Sequence, residues 1–422
     1  MKKLITASCL AVALAASASF AQWGGNNGGF GGQQSGNDKM EYSEKFADVN
    51  YAGDSKGYHN LDIYLPKESK DSYPVVIHTY GSAWSMNNYK GSADLNTICA
   101  ALLKAGYAVV TPNHRSASDA IYPAQLHDLK AVVRFVRGNA TKYKFDTSFV
   151  AMSGFSSGGH LSSLVATTCG LKEGKSGSGT VDLVGDVGEF TSFGTCIDAV
   201  SLWSAPTDIY LMNPINNFMG SGTYEGAFIG VEREGNKDKW TVASSPYYVS
   251  EDDPPVILFH GTSDKTVNIE QSEMMYDSLQ KHHVESKFVR VSGGEHGSSN
   301  MYTSETLGEM VLFFDKAREA KAAKVVAQDT VANDTIARDT TAADTAKNDT
   351  VPPGIVYDTL PDVLPVLGSL VAAPVTYEIY GLDGSLVARS SMLDLSRLKA
   401  GVYCIVAKSQ NGVRKVFRMA KK

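Results

Sequence analysis

Three residues far apart in the chain, Ser156, Asp264 and His296, are of the types that acyl transfer through a covalent intermediate requires. Ser156 is the middle of Gly154-Phe155-Ser156-Ser157-Gly158, a G-x-S-x-G pentapeptide. It stands between an apolar run, Phe149-Val150-Ala151-Met152, and a helix-like run over residues 161–168. The glycines suit a sharp strand-to-helix turn, where a Cβ beside the serine would collide with the backbone. Such a turn pushes the serine hydroxyl clear of a sheet and sets the Ser157 N–H at a helix N-terminus, facing any oxyanion. Taken alone, the pentapeptide is also an ordinary Gly/Ser turn. Its meaning depends on a base in reach of the serine and an acid behind that base.

Both follow later in the chain, in the order serine, acid, histidine that such a turn calls for. The apolar run ending at His260 leads into Gly261-Thr262-Ser263-Asp264-Lys265, which makes Asp264 the acid. The run Phe288-Val289-Arg290-Val291 leads into Gly293-Gly294-Glu295-His296-Gly297, whose glycines let His296 approach as the base. The bland reading of Asp264 is a turn-capping aspartate. Asp208, after the run Ala199-Val200-Ser201-Leu202-Trp203, is the second candidate acid. His160 is expected to pack beneath the turn, and His282 and His283 to lie solvated on a helix. For the oxyanion, Thr79-Tyr80-Gly81-Ser82-Ala83-Trp84 follows an early strand, and the N–H groups of Gly81 and Ser82 are the expected partners of the Ser157 N–H. No Cys/His spacing suggests zinc, and the chemistry calls for no metal or organic cofactor.

These groups need rigid elements to hold them. Leu61-Asp62-Ile63-Tyr64-Leu65 alternates with period two and stops at Pro66, as a half-buried strand does. Pro74-Val75-Val76-Ile77-His78 and Tyr107-Ala108-Val109-Val110 are continuous apolar runs, suited to parallel strands covered on both faces. Helical spacing appears in Leu95, Ile98, Leu102 and Leu103, in Leu126, Leu129, Val132, Val133 and Val136, over residues 271–283, and from about 304. Strand and helix alternate throughout, which argues for an α/β fold with a doubly wound, mostly parallel sheet and its site at the strands' C-terminal ends.

Around that unit the composition changes. Lys2-Lys3, an apolar run and Ser19-Phe20-Ala21 read as a signal peptide over 1–21, with Cys9 inside the apolar run. Residues 22–40 form a Gly/Gln/Asn-rich linker, and 41–324 the catalytic domain. Asp-Thr recurs at Asp329, Asp334, Asp339, Asp344 and Asp349, so 325–353 reads as a second linker. Residues 354–422 read as a small all-β domain, with turn signals at Gly381-Leu382-Asp383-Gly384 and Asn411-Gly412. From Thr376 to the end, nine Lys and Arg face three Asp and Glu, opposite in sign to the net charge of −6 for the whole chain. That net charge, with no basic patch beside the candidate site, argues against nucleic acid as a partner. No apolar run beyond the signal is long enough to span a bilayer. In an oxidising compartment Cys169 and Cys196, flanking a Gly/Ser-rich excursion, are the expected disulfide. Cys99 is expected to be buried and Cys404 to sit in a strand.

Residues 58–316 resemble the α/β-hydrolase family, in its branch of secreted bacterial acetyl-xylan and feruloyl esterases. The resemblance rests on Leu61-Asp62-Ile63-Tyr64-Leu65-Pro66, Tyr80-Gly81-Ser82-Ala83-Trp84, Tyr122-Pro123-Ala124-Gln125, the stretch from Gly154 to Leu161, Gly261-Thr262-Ser263-Asp264 and Glu295-His296-Gly297. The family's His-Gly-Gly-Gly-Trp oxyanion motif appears with Tyr80 for its histidine and with Ser82 and Ala83 for two glycines. The resemblance implies a secreted serine carboxylic-ester hydrolase. Its substrates would be acetyl or feruloyl esters of plant-cell-wall polysaccharide, or small acyl esters. Residues 376–420 resemble the C-terminal sorting domain of type IX-secreted proteins, which implies the secretion machinery or the cell surface as partner. A serine peptidase of the prolyl-oligopeptidase type shares the order of the three residues, but only some 35 mature residues precede Tyr58, too few for a propeller domain. A catalytically dead hydrolase kept as a binding module is the rival from another class. Specificity would come from residues 170–195 and 213–239.

Overall fold

The computed structural model describes residues 39–91, 94–216, 222–339, 375–381, 386–390, 401–409 and 414–421. The expected signal peptide, nearly all of the first linker, the last two Asp-Thr repeats and residues 354–374 lie outside the described residues. The chain divides into two compact units between Thr335 and Ile336.

In the first unit, the order is β1 (Glu44–Asn50), β2 (Asn60–Leu65), β3 (Tyr73–Thr79), α1 (Ala100–Lys104), β4 (Ala108–Pro112), α2 (Ala124–Gly138), β5 (Phe145–Phe155) and α3 (Ser157–Thr167). Then come β6 (Glu173–Ser176), β7 (Gly179–Asp182), β8 (Val200–Trp203), α4 (Tyr224–Ile229), α5 (Lys237–Thr241), β9 (Val256–Gly261), α6 (Glu270–Lys281), β10 (Ser286–Val291) and α7 (Ser304–Asp339), whose last turn runs past the unit boundary. Eight of the strands form one sheet in the order β1-β2-β4-β3-β5-β8-β9-β10. Only β1 with β2 and β2 with β4 run antiparallel. The expected doubly wound, mostly parallel α/β sheet is present.

Alternation along the inner strands builds two cores. On one face Ile63, Val75, Ile77, Val150 and Met152 pack with Leu126, Leu129 and Val132 of α2 and Leu161 and Leu164 of α3. On the other, Tyr64, Val76, Val109, Phe149 and Ala151 pack with Leu102 and Leu103 of α1 and Met310 and Phe314 of α7. Both faces are covered, so these strands read as unbroken apolar runs.

Cys169 and Cys196 are joined, 27 residues apart, and the loop they close carries the β6–β7 hairpin. Cys99 is buried at the end of a wide helical turn, Leu95–Cys99. In the chain-entropy account, closing a loop of this length contributes about 3.5 kcal/mol. A Cys169→Ala/Cys196→Ala variant is therefore expected to melt roughly 6 °C lower in a domain of this size, by calorimetry. An unchanged midpoint would mean the closure contributes nothing.

The linker expectation over 325–353 needs correction at its start. Helix α7 continues to Asp339, through the first Asp-Thr repeats. The helix enters the repeats from residues 316–324, rich in Ala, Lys and Arg, and Ala327, Ala332 and Ala337 recur between the repeats; Ala, Lys and Arg are among the strongest helix formers. The second unit contains β11 (Val375–Gly381), β12 (Leu386–Ser390), β13 (Gly401–Ser409) and β14 (Arg414–Lys421), an antiparallel sheet in the order β12-β11-β13-β14. Cys404 lies in β13, as expected.

Candidate active site

Parallel register brings the chemistry to one edge of the sheet. Phe155 of β5 pairs with Trp203 of β8, Trp203 with Phe259 of β9, and Gly261 with Val291 of β10. The loops carrying Ser156, Asp264 and His296 therefore leave the sheet on the same side.

Ser156 is the single residue between β5 and α3, with φ 52° and ψ −124°. A side-chain-bearing residue in so sparsely populated a region costs on the order of 1–3 kcal/mol and persists only where its surroundings impose it. Here they do. A Cβ on Gly158 would lie on the carbonyl oxygens of Thr79 and Tyr80, and one on Gly81 would stand 2.7 Å from Ser156 Cβ. The turn is thus wedged between α3 and the loop after β3.

From Ser156 a chain of hydrogen bonds runs inward. His296 Nε2 is 3.0 Å from Ser156 Oγ, and His296 Nδ1 is 2.8 Å from Asp264 Oδ2. The other carboxylate oxygen of Asp264 accepts the N–H groups of Thr266 and Val267, each at 2.9 Å. Burial alone would raise the Asp264 carboxyl, but His296 and His260 hold it well below the usual carboxylate range. The Phe155 ring packs 4.9 Å from the His296 ring and limits its swing.

His260 is a supporting group that the sequence did not disclose. It is fully buried at the end of β9, with Nε2 at 2.8 Å from the Val267 carbonyl and 3.5 Å from Asp264 Oδ2. A carbonyl only accepts, so Nε2 carries a proton, and Nδ1 meets Ser272 Oγ at 2.7 Å. His260 thereby ties the acid loop to α6. The signal was present, a histidine ending an otherwise apolar run.

The other expectations separate cleanly. Asp208 accepts the Leu211 N–H at 3.0 Å and lies 3.4 Å from Ser244 Oγ, so it caps a turn and takes no part in the chain to Ser156. His160 is buried under the turn, as expected. It accepts the Trp84 indole N–H at 3.1 Å and donates to the Ala243 carbonyl at 2.7 Å. Burial lowers its imidazole to about 4, so it is neutral at ordinary pH. His283 is exposed beyond α6 and His282 is partly so.

The oxyanion side differs from expectation. The Ser82 N–H donates to Ser157 Oγ at 2.8 Å, and both residues are buried. That N–H is engaged within the protein, and the residues of this loop that face the cleft are Ala83, with φ 48°, and Trp84, with φ 55°. The Ser157 N–H, first in α3, remains one of the unpartnered donors of a helix start. Replacing Ser157 by alanine strands the buried Ser82 N–H, at a cost of about 1–3 kcal/mol. Because the loop beside the nucleophile then loosens, kcat is expected to fall about tenfold with KM little changed, below the 10²–10³ of a lost donor. Steady-state kinetics on a short ester measures this.

The cleft itself is mostly apolar. Ala83, Trp84, Pro206, Met212, Ile215 and Val267 face it, beside Ser156, Ser157, Thr266 and His296. Trp84 forms a fixed wall, stacked on Phe228 at 4.8 Å and held by its bond to His160.

The BD-FAE family model matches residues 61–279, just over half of the chain. A structure described as a truncated form of carbohydrate esterase from gut microbiota is 39% identical, with a TM-score of 0.62, covering 68% of this chain and 100% of that one. A bifunctional GH43-CE protein of Bacteroides eggerthii is 42% identical, with a TM-score of 0.61, covering 65% of this chain and 35% of its own. A probable carboxylic ester hydrolase of Mycobacterium tuberculosis, LipM, is 25% identical over 236 residues, 56% of this chain and 51% of its own. The chain spans about half the length of the curated relatives it matches. A mostly parallel sheet with a strained serine at the end of its central strand, and a family match over that same unit, lead to one assignment: the chain is an α/β-hydrolase and belongs to the BD-FAE family.

Proposed function

We propose that the protein is a secreted carboxylic ester hydrolase that removes acetyl or feruloyl groups from plant-cell-wall polysaccharide, with acetyl the better fit. The observation that carries the reading is the hydrogen-bonded chain Ser156–His296–Asp264 opening onto an apolar cleft. Ser156 Oγ attacks the ester carbonyl while His296 Nε2 takes its proton, then returns it to the leaving alcohol. Asp264 keeps the proton on Nδ1 and stabilises the imidazolium. The Ser157 N–H and, in place of Ser82, the Ala83 N–H receive the oxyanion. Water then repeats the sequence on the acyl-enzyme.

Trp84 supports a short acyl group as the better fit, since an indole pinned by two contacts narrows the cleft against a longer or aromatic one. The carbohydrate esterase among the similar structures supports a sugar as the alcohol. The Cys169–Cys196 bond supports export to an oxidising compartment, with the C-terminal sheet serving the secretion machinery or the cell surface. The test is a substrate panel on the purified protein, with Ser156→Ala as the blank: p-nitrophenyl acetate, methyl ferulate, acetylated xylan and a Pro-linked peptide. Release of acetate from xylan, dependent on Ser156, is the expected result. Cleavage of the peptide alone would replace the esterase reading with a peptidase, and no turnover of any kind would leave a binding module.

A further inference from the structure

Besides the turn-capping Asp208, the connection between β8 and β9 buries a second carboxylate that the reaction does not use. Glu225, on α4, is fully buried, and its two oxygens stand 3.2 and 3.1 Å from a single backbone N–H, that of Ile215. Ile215 lines the cleft, and so does Met212. The Met212 carbonyl in turn accepts from Arg233 Nη1 at 3.1 Å, and the same nitrogen reaches the Tyr210 carbonyl at 3.4 Å. Glu225 and Arg233 therefore grip the two neighbouring pieces of the cleft wall, one by its N–H and the other by its carbonyls.

The Glu225 carboxyl is also hydrogen-bonded by its own backbone and by Thr223, yet a buried acid remains an expensive way to satisfy such donors, which a neutral side chain does at lower desolvation cost. Burial pushes the Glu225 carboxyl up to about 7, while its hydrogen bonds and the Arg233 charge favour the ionised form. The geometry adds a reason for the group to be there. Helix α4 is anchored by the Thr223 hydroxyl, which accepts the Gly226 N–H at 3.0 Å, and by the Tyr224 N–H on the Ile215 carbonyl at 3.0 Å. One turn after Glu225, Phe228 of the same helix stacks on Trp84. Both walls of the cleft thus take position from α4, the Trp84 wall by stacking and the Ile215 wall by hydrogen bonds to Glu225 and Tyr224.

We propose that Glu225 and Arg233 are positioning residues that set acyl length, holding Met212 and Ile215 close enough to Trp84 that acetyl is accepted over longer linear acyl groups. The proposal rests on the ester-hydrolase reading above. The experiment compares kcat/KM for p-nitrophenyl acetate, butyrate and hexanoate in the wild type, Glu225→Ala, Glu225→Gln and Arg233→Met, with a melting temperature for each. Glu225→Ala is expected to move the acetate-to-hexanoate ratio about fivefold or more toward hexanoate, the scale on which a hydrophobic pocket discriminates single methylenes. Glu225→Gln keeps an oxygen for the Ile215 N–H and is expected to stay within about twofold of the wild-type ratio. A folded Glu225→Ala with the wild-type ratio, or one slowed equally on all three esters, would overturn the proposal. Arg233 is exposed, so Arg233→Met reads the same wall if Glu225→Ala does not fold, and an unchanged ratio there is equally fatal. A wild type without Ser156-dependent hydrolysis of any of the three esters would instead sink the parent reading.

Discussion

Ser156→Ala is expected to lower kcat by about 10⁶-fold, the scale seen when the nucleophile of a comparable constellation is removed. His296 Nε2, now 3.0 Å from Ser156 Oγ, would then have no proton to take. The Ser157 N–H and the cleft walls persist, so the variant should still exceed the uncatalysed rate by about 10³–10⁴. The turn is held by Gly158 against the loop after β3 and not by the hydroxyl, so the fold should survive. Melting temperature and ester turnover, measured on one preparation, check both halves. A residual rate within tenfold of the wild type would remove Ser156 from the mechanism.

Asp264→Asn is expected to cost about 10⁴ in kcat with the fold intact. The reason lies in how the carboxylate is shared. Its Oδ1 takes two backbone N–H groups, from Thr266 and Val267, and its Oδ2 takes His296. An asparagine has one oxygen, which the two backbone donors would claim, leaving its NH₂ toward His296 Nδ1. That nitrogen must then accept, the proton moves to Nε2, and the imidazole can no longer receive the serine proton. The same substitution has a sign in acid. The Asp264 carboxyl is held below its unfolded value of about 3.8, so its contribution to stability is present above that pH and lost as pH falls through the folded value. Urea midpoints measured downward from pH 5 should therefore fall more steeply for the wild type than for Asp264→Asn once pH drops below about 4. Equal slopes would mean that the histidine contacts do not hold the carboxyl down.

The hydrogen-bonded chain Ser156–His296–Asp264 was legible because each residue stands in a glycine-flanked loop directly after an apolar run, and loops at strand ends are placed by the sheet. The covered strands were legible for the same reason, Val75 to Ile77 and Val256 to Phe259 having helices on both faces. Strand β1 was not, because it is an edge with only Phe46 and Val49 to pack and a largely exposed pattern. Helices α4 and α5 have six and five residues, too short for a helical period to register. The bond from the Ser82 N–H to Ser157 Oγ was not legible, because the path of this loop depends on the positive φ of Ala83 and Trp84 and on a residue 75 positions away. No local pattern carries that information. Helix α7 passed unnoticed into the Asp-Thr repeats because a five-residue repeat matches neither helix nor strand, while the alanines between the repeats and the Ala/Lys/Arg-rich run before them still favour the helix.

Between β8 and β9 the chain leaves the sheet for some fifty residues and returns. Met212, Ile215, Glu225, Phe228 and Arg233 all come from that excursion, whereas Ser156, Asp264 and His296 come from outside it. One wall of the cleft and the residues of the proposed reaction are thus inherited on separate stretches of polypeptide. Under that proposal, a relative could exchange residues 205–250 as a cassette, rebuild the wall opposite Trp84 and leave Ser156, Asp264 and His296 in place.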